Sequence, residues 1–285
     1  MLDDNPDATG TLYSADWKDR LRHQLGFCFP QIAETLTGLT NDRNVKFEMV
    51  KASSRSLCLK LNVDGKLGFL KLFDGPDGSA AFFREKMSLH SMLDSGLVPG
   101  LLAYSDELKF ILTEWVETRS LLDAEPSHTA FRIGAWLAAF DAAAPAELAS
   151  GNWFGYLSKF KTGVALSQIV EAKSVLSGIP LCGRVLSRND PALHNYLQTQ
   201  SGALLGCDFE QSRMRPRGWD YVTGFGALIE RFPAKSNEVL EAYSAGFARS
   251  HRGALIVDEL NSMARILFCA RAVASRSERE AQPWQ

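Results

Sequence analysis

The sequence predicts an α+β chain: a small lobe built from a five-stranded antiparallel sheet and one helix, followed by a larger, mainly helical lobe. Three observations carry this expectation. Period-two apolar patterns run through residues 45–73 and again through 100–117, on either side of one amphipathic segment at 79–94. Beyond residue 130 the apolar spacing changes to the 3.6-residue period of helices. Within that helical part a compact polar stretch, Ser187 to Glu210, carries two short apolar runs flanking a turn.

In order along the chain, residues 1–10 read as frayed. Ser14 is placed to cap a helix whose Trp17, Leu21 and Leu25 share a face, and a second short helix runs from Pro30 to Gly38. The segments VKFEMV, SLCLKLNV and KLGFLKLF are strands, the last two joined by the hairpin signal Asp64-Gly65. Lys71 lies inside an apolar strand between Leu70 and Leu72, so its ammonium needs an anion or a route to water. Glu85, on the apolar face of the 79–94 helix with Phe82, Leu89 and Met92, is its natural partner. GLLAY and KFILTEWVE complete the sheet, with a turn at Ser105-Asp106.

The later part follows the helical period. Ile133, Trp136, Leu137 and Phe140 form one stripe, and Tyr156 to Leu176 reads as a helix interrupted at Gly163. The alternating arginines Arg213, Arg215 and Arg217 read first as a solvated loop. If they line a site, they favour an anionic acceptor over a polycation. Helices at about 219–231, 236–250 and 254–274 finish the chain.

Composition narrows the class. With 46% hydrophobic residues over 285 positions the chain can bury a sizeable core, and a formal net charge of −2 gives no electrostatic case for nucleic acid or an anionic membrane. No apolar stretch reaches the length of a membrane span, and the acidic start MLDDNPDATG lacks a leader pattern. Five scattered cysteines without a CxxC point to reduced thiols and a cytoplasmic location. The five histidines are too dispersed for a zinc site or a His-based hydrolase.

The chemistry concentrates between Ser187 and Glu210. Asp190 and Asn195 stand five positions apart, and Asp208-Phe209-Glu210 follows the next apolar run. Phosphoryl transfer needs this set: one carboxylate to orient and deprotonate a hydroxyl, and an amide oxygen and a second carboxylate to hold Mg²⁺ on the phosphates. The stretch resembles the catalytic loop and metal-binding strand of the aminoglycoside phosphotransferase and choline kinase group, the small-molecule branch of the protein-kinase-like superfamily.

That resemblance implies a bilobal protein-kinase-like fold, with residues 1–114 as the nucleotide-covering lobe and 115–285 as the lobe carrying the catalytic loop and acceptor site. It implies Asp190 as catalytic base, Asn195 and Asp208 as metal ligands, and a Lys71–Glu85 pair on the α/β-phosphates of ATP or GTP. It places purine-edge contacts at Glu114 and Val116 in the linker, and phosphate contacts at Ser53 and Ser54, where the family has glycines. Asp220 is the matching position for an aspartate that braces the catalytic loop. The implied activity is transfer of the γ-phosphate to a hydroxyl of a small molecule. Candidate substrate contacts are Arg188, Glu210, Arg213 and Arg215.

Three departures from the family pattern stand out. Arg188 replaces a usual histidine two before the catalytic Asp, and is expected to face phosphate or substrate. Ala192 replaces a second histidine, with His194 displaced beside Asn195. Phe69 replaces a smaller residue and narrows the purine pocket. Arg188, Phe69 and the glycine-free loop motivate an alternative, a catalytically weak or inactive module that keeps the fold as a binding cleft. Glu210, where protein kinases carry Gly, and the short interval between Asp208 and Asp220 argue against a protein kinase.

Overall fold

The computed structural model describes residues 45–53, 55–75, 77–151, 153–157, 166–177, 182–250 and 257–269. The two helices expected before residue 40, Ser54 and the break at Gly163 lie outside the described residues.

Strands β1 (Val45–Ala52), β2 (Ser56–Val63), β3 (Lys66–Phe73), β4 (Leu101–Ser105) and β5 (Phe110–Glu114) form one antiparallel sheet in the order β1-β2-β3-β5-β4. Asp64 and Gly65 turn the β2–β3 hairpin with φ of 52° and 87°, the two-residue geometry whose twist matches the flanking strands. Register aligns Cys58, Lys71 and Ile111 across three strands, so Lys71 sits on the central strand. Alternation along β3 sends Leu70 and Leu72 to the face shared with Leu59, Leu61, Phe110 and Leu112. Lys71 projects to the opposite face.

Helix α1 (Gly78–Ser91) buries Ala81, Phe82, Glu85, Ser88 and Leu89, a stripe at three- and four-residue spacing. It stops short of the expected residue 94, where the chain tightens into a 3₁₀ turn at Leu93–Ser95. Phe82 packs edge-on against Phe73 at 5.7 Å, which seats α1 on the Lys71 face of the sheet.

The remainder contains β6 (Thr118–Arg119), α2 (Pro126–Ala143), β7 (Ala146–Gly151), α3 (Trp153–Leu157), α4 (Leu166–Ser177), β8 (Cys182–Ser187), β9 (Tyr196–Thr199), β10 (Leu204–Gly206), β11 (Arg213–Pro216), α5 (Trp219–Arg231), α6 (Ser236–Ser250) and α7 (Val257–Ala264), which runs into a π-helical turn at Arg265–Cys269. Helix α2 begins where Pro126 presets the first turn and the Glu125 carboxylate accepts from the backbone N–H of Ser127 and His128. The strands make two small sheets, β10-β9-β6 and β11-β8-β7.

Two expectations are corrected here. Residues 213–216 are not a solvated loop but a strand, paired with β8 from Arg213↔Ser187 to Pro216↔Arg184. Arg215 and Pro216 are buried in it, and the proline ends the strand, where a missing donor is tolerated. The helix expected from Tyr156 to Leu176 with an interruption at Gly163 begins earlier, with α3 at Trp153, and its later part is α4; the interruption itself falls among the undescribed residues.

Helices α2 and α6 approach closely at two glycines. A Cβ at Gly134 would stand 2.2 Å from the Tyr243 carbonyl oxygen, and one at Gly246 would stand 2.0 Å from that of Phe131. Neither obstacle is a flexible side chain, so the helices would have to separate. Gly134→Ala and Gly246→Ala are each expected to lower stability by about 3 kcal/mol. Urea unfolding of the two variants against the parent chain measures this.

Candidate active site

The functional side chains meet where the central strand, α1 and the β9–β10 hairpin converge. Lys71 Nζ donates to Glu85 Oε2 at 2.6 Å and to Asp208 Oδ1 at 2.6 Å, and lies 3.2 Å from Glu210 Oε2. Lys71 and Glu85 are only 4% and 5% exposed, so neither charge is neutralised by solvent. Burial opposes the Lys71 charge, but Glu85, Asp208 and Glu210 together hold its pKa well above the ordinary lysine value. Burial pushes Glu85 up to about 7 despite Lys71. In Asp208 burial acts upward and Lys71 downward, and Lys71 prevails, leaving that carboxyl below its usual range.

Hairpin register brings the second half of the site to the first. In β9–β10, Gly206 pairs with Tyr196, and the Cys207 N–H then donates to the Asn195 carbonyl at 3.0 Å. Asn195 and Asp208 are therefore held at the open end of one hairpin. Asn195 Nδ2 donates to Asp190 Oδ2 at 3.1 Å, and the Ala192 N–H donates to Asp190 Oδ1 at 3.0 Å. Because the amide nitrogen faces a carboxylate, the amide oxygen is turned away from it and is the atom left to meet a cation. Asn189 and Asp208 adopt left-handed backbone, φ 57° and 60°, a conformation that Asn and Asp enter more readily than most residues.

Asp220, in the first turn of α5, fixes the loop from below. It accepts from Ser187 Oγ at 2.6 Å, the Arg188 N–H at 2.8 Å and the Asn189 N–H at 3.2 Å. Burial pushes its pKa up against these hydrogen bonds.

An open cleft of about 330 Å³ runs beside these groups. It is lined by Phe69, Thr113, Glu114, Trp115 and Val116 from the sheet and linker, and by Lys71, Glu85, Asn195 and Asp208. That volume falls in the range of small-molecule pockets. Phe69 does line the cleft, with Trp115 6.5 Å from it, but does not fill it. The Glu114 N–H is already taken by the Gly100 carbonyl at 2.9 Å.

Several expected site residues are placed otherwise. Arg188 does not face a phosphate or substrate; it is 1% exposed and lies under the loop. Its guanidinium sits 4.3 Å from the Tyr196 ring centre, 5.3 Å from Trp136 and 5.8 Å from Phe209, and Nη2 donates to the carbonyls of Asn195 and Cys207. Aromatic faces and carbonyl oxygens therefore hold this cation. Arg215 is also turned inward, with Nε donating to Asn189 Oδ1 at 2.8 Å. Arg213 is exposed. The Ser53 hydroxyl accepts from the N–H groups of Arg55 and Ser56, so it closes the β1–β2 turn instead of presenting a phosphate site. Sequence reasoning missed Arg55, which reaches Glu210 Oε1 at 3.7 Å from that same turn. A basic residue in the loop that replaces a glycine-rich one was the available signal.

Glu85, Asp208 and Glu210 present oxygens within 4.8 Å of one another. With Lys71 among them and Arg55 at the edge of Glu210, this cluster of three carboxyl groups still carries a negative surplus once Glu85 is ionised. An all-oxygen donor set with that surplus fits Mg²⁺.

No sequence model of a protein family matches the chain, and no curated protein matches it by sequence. Solved structures do. Choline kinase LicA from Streptococcus pneumoniae superposes with a TM-score of 0.56 at 14% identity, over 92% of this chain and 93% of that one. The chain has the fold of the choline kinases and aminoglycoside phosphotransferases. LicA in complex with AMP gives a TM-score of 0.52 at 16% identity, over 90% and 92% of the two chains. Macrolide 2'-phosphotransferase type I gives 0.55 at 12%, over 94% of each. In this kinase-like fold no described helix is long and apolar enough to cross a membrane.

The Glu85 titration gives a signed pH dependence. The folded carboxyl holds its proton to about 7, whereas the unfolded one releases it near 4.5. The folded state thus binds more protons in between, so this contribution is complete below about 4.5 and lost as pH rises through about 7. Denaturation of the metal-free protein across this window should show stability falling with pH, and Glu85→Gln should flatten the slope.

Proposed function

We propose that the protein is a small-molecule kinase that transfers the γ-phosphate of ATP or GTP to an alcohol hydroxyl. The observation that carries this reading is the junction of two bonded pairs. Lys71 holds Asp208, Asn195 holds Asp190, and the Cys207-to-Asn195 backbone bond ties them together beside one cleft. The division at residue 114 follows from the same reading: the sheet covers the nucleotide, and residues from 115 onward supply the loop and the acceptor side.

In this mechanism the purine lies against Phe69 and Trp115, with the Glu114 carbonyl and the Val116 N–H on its edge. Lys71, kept charged by its carboxylates, contacts the α/β-phosphates, and Glu85 keeps Lys71 in place. Asn195 Oδ1 and Asp208 would hold Mg²⁺, with Glu210 adjacent. When bound, the ion supplies positive charge to the phosphate oxygens during transfer. Asp190, oriented by Ala192 and Asn195, accepts the proton of the attacking hydroxyl. Asp220 and Arg188 act through the loop: one holds its N–H groups, the other the carbonyls at the hairpin base.

Turnover of Mg²⁺-ATP and Mg²⁺-GTP with a panel of hydroxylated acceptors tests the proposal. Asp190→Ala should lower kcat by about 10²- to 10⁴-fold while the nucleotide-induced rise in Tm persists. Equal, low rates in both proteins with that rise intact would identify a nucleotide-binding module without transfer.

A further inference from the structure

Two guanidinium groups from two elements contact Glu210, and a third arginine acts on one of them. Arg55 comes from the β1–β2 turn and lies 3.7 Å from Glu210 Oε1, while Oε2 faces Lys71. Arg84, on α1 next to Glu85, donates through Nε to the Glu210 carbonyl. Arg213 opens β11 one residue after Ser212, whose Oγ contacts the Arg84 carbonyl at 3.3 Å and Ser88 Oγ at 2.6 Å, and its charge acts on Arg84.

These cations outnumber the carboxylates that face them. Glu210 is shared with Lys71, and Asp77 is the other acidic group acting on Arg84. Among the described residues neither Arg84 nor Arg213 forms an ion pair with a carboxylate. Arg84 is held below its ordinary pKa first by burial and next by Arg213, with Arg55 adding to this and Glu210 and Asp77 opposing it. Like charges pinned together in this way cost free energy, which an anion between them would recover. Guanidinium forks match the oxygens of phosphate and carboxylate groups, and Arg213 and Arg55 are accessible to solvent.

We propose that Arg55, Arg84 and Arg213 form a binding site for a phosphate-type oxyanion, carried by the acceptor molecule, across the Glu210 carboxylate from Lys71. The assignment rests on the phosphotransferase reading and gives it a substrate class: a hydroxylated compound that already bears an anionic group. The nucleotide's terminal phosphate has the same chemistry, so the test must separate the two sources.

Inorganic phosphate is the probe, titrated calorimetrically into the full chain with Mg²⁺, with and without a saturating non-hydrolysable ATP analogue. Phosphate should bind in both conditions. Its Kd should weaken at least tenfold in Arg213→Gln, whose exposed side chain leaves Tm unchanged, and also in Arg84→Gln, titrated well below the Tm measured for that variant. Unaltered affinity in both variants, or no binding to the parent chain, overturns the site. Loss of phosphate binding when the analogue is present assigns the arginines to the nucleotide and overturns the acceptor reading. A parent chain that binds phosphate through these arginines but shows no nucleotide-induced rise in Tm would sink the kinase reading while leaving the anion site standing.

Discussion

A buried ammonium on the central strand is the constraint on which the structure depends. Lys71 is only 4% exposed in the middle of a five-stranded sheet, and a lone charge there is untenable. It is kept by Glu85, Asp208 and Glu210, which come from α1 and from the segment after the β9–β10 hairpin. Each of these elements must therefore dock against the sheet for the lysine to be paired. Removing one partner of a buried pair typically costs about 3–5 kcal/mol, far more than the pair adds over an apolar replacement. The arrangement is better explained by the placement of charge beside the cleft than by stability.

The loop that carries Asn189 and Asp190 is held by one anionic and one cationic partner. Its backbone is held from one side by the Asp220 carboxylate and from the other by Arg188, whose charge is spread over three aromatic rings and two carbonyls. Trp136 stacks on Phe140 at 5.0 Å, and Phe140 on Phe209 at 5.9 Å, so the cage is continuous with the core of α2. Rigid support of this kind lets Asn189 and Asp208 stay in left-handed backbone, which an unsupported loop would relax.

The parts of the fold and site that were legible in the sequence share one property: a residue type at odds with its local pattern. Lys71 in an apolar strand and Glu85 on an apolar helix face each demanded a partner, and Asp64-Gly65 demanded a hairpin. Spacing together with the resemblance to a known catalytic loop picked out Asp190, Asn195 and Asp208 as a set. What escaped was decided by tertiary environment. Arg188, Arg213 and Arg215 look alike in a string of letters, yet one is caged by rings, one is locked to Asn189 and one is in solvent. Ser53 looked free to bind phosphate because its role in closing a turn depends on backbone that sequence does not display. Strands β7 and β8 were missed because their period is short and β8 carries a glycine and an arginine.

Scaffold and specificity are separable here on physical grounds. The groups that fix the lysine, the loop and the hairpin are buried or bonded to backbone, and changing them disturbs the fold. The arginines around Glu210 bear on little of the core: Arg213 is exposed and Arg55 is 40% exposed at its side chain. Side chains so placed can differ between proteins of one fold without a stability penalty, which is why a shared architecture at low identity leaves the acceptor open. The Glu210 carboxylate is where the two sets meet, because one oxygen faces the buried lysine and the other faces the arginine rim. Any ligand that draws this carboxylate toward one of these two cations weakens its hold on the other, so occupancy on one side of Glu210 is electrostatically coupled to occupancy on the other.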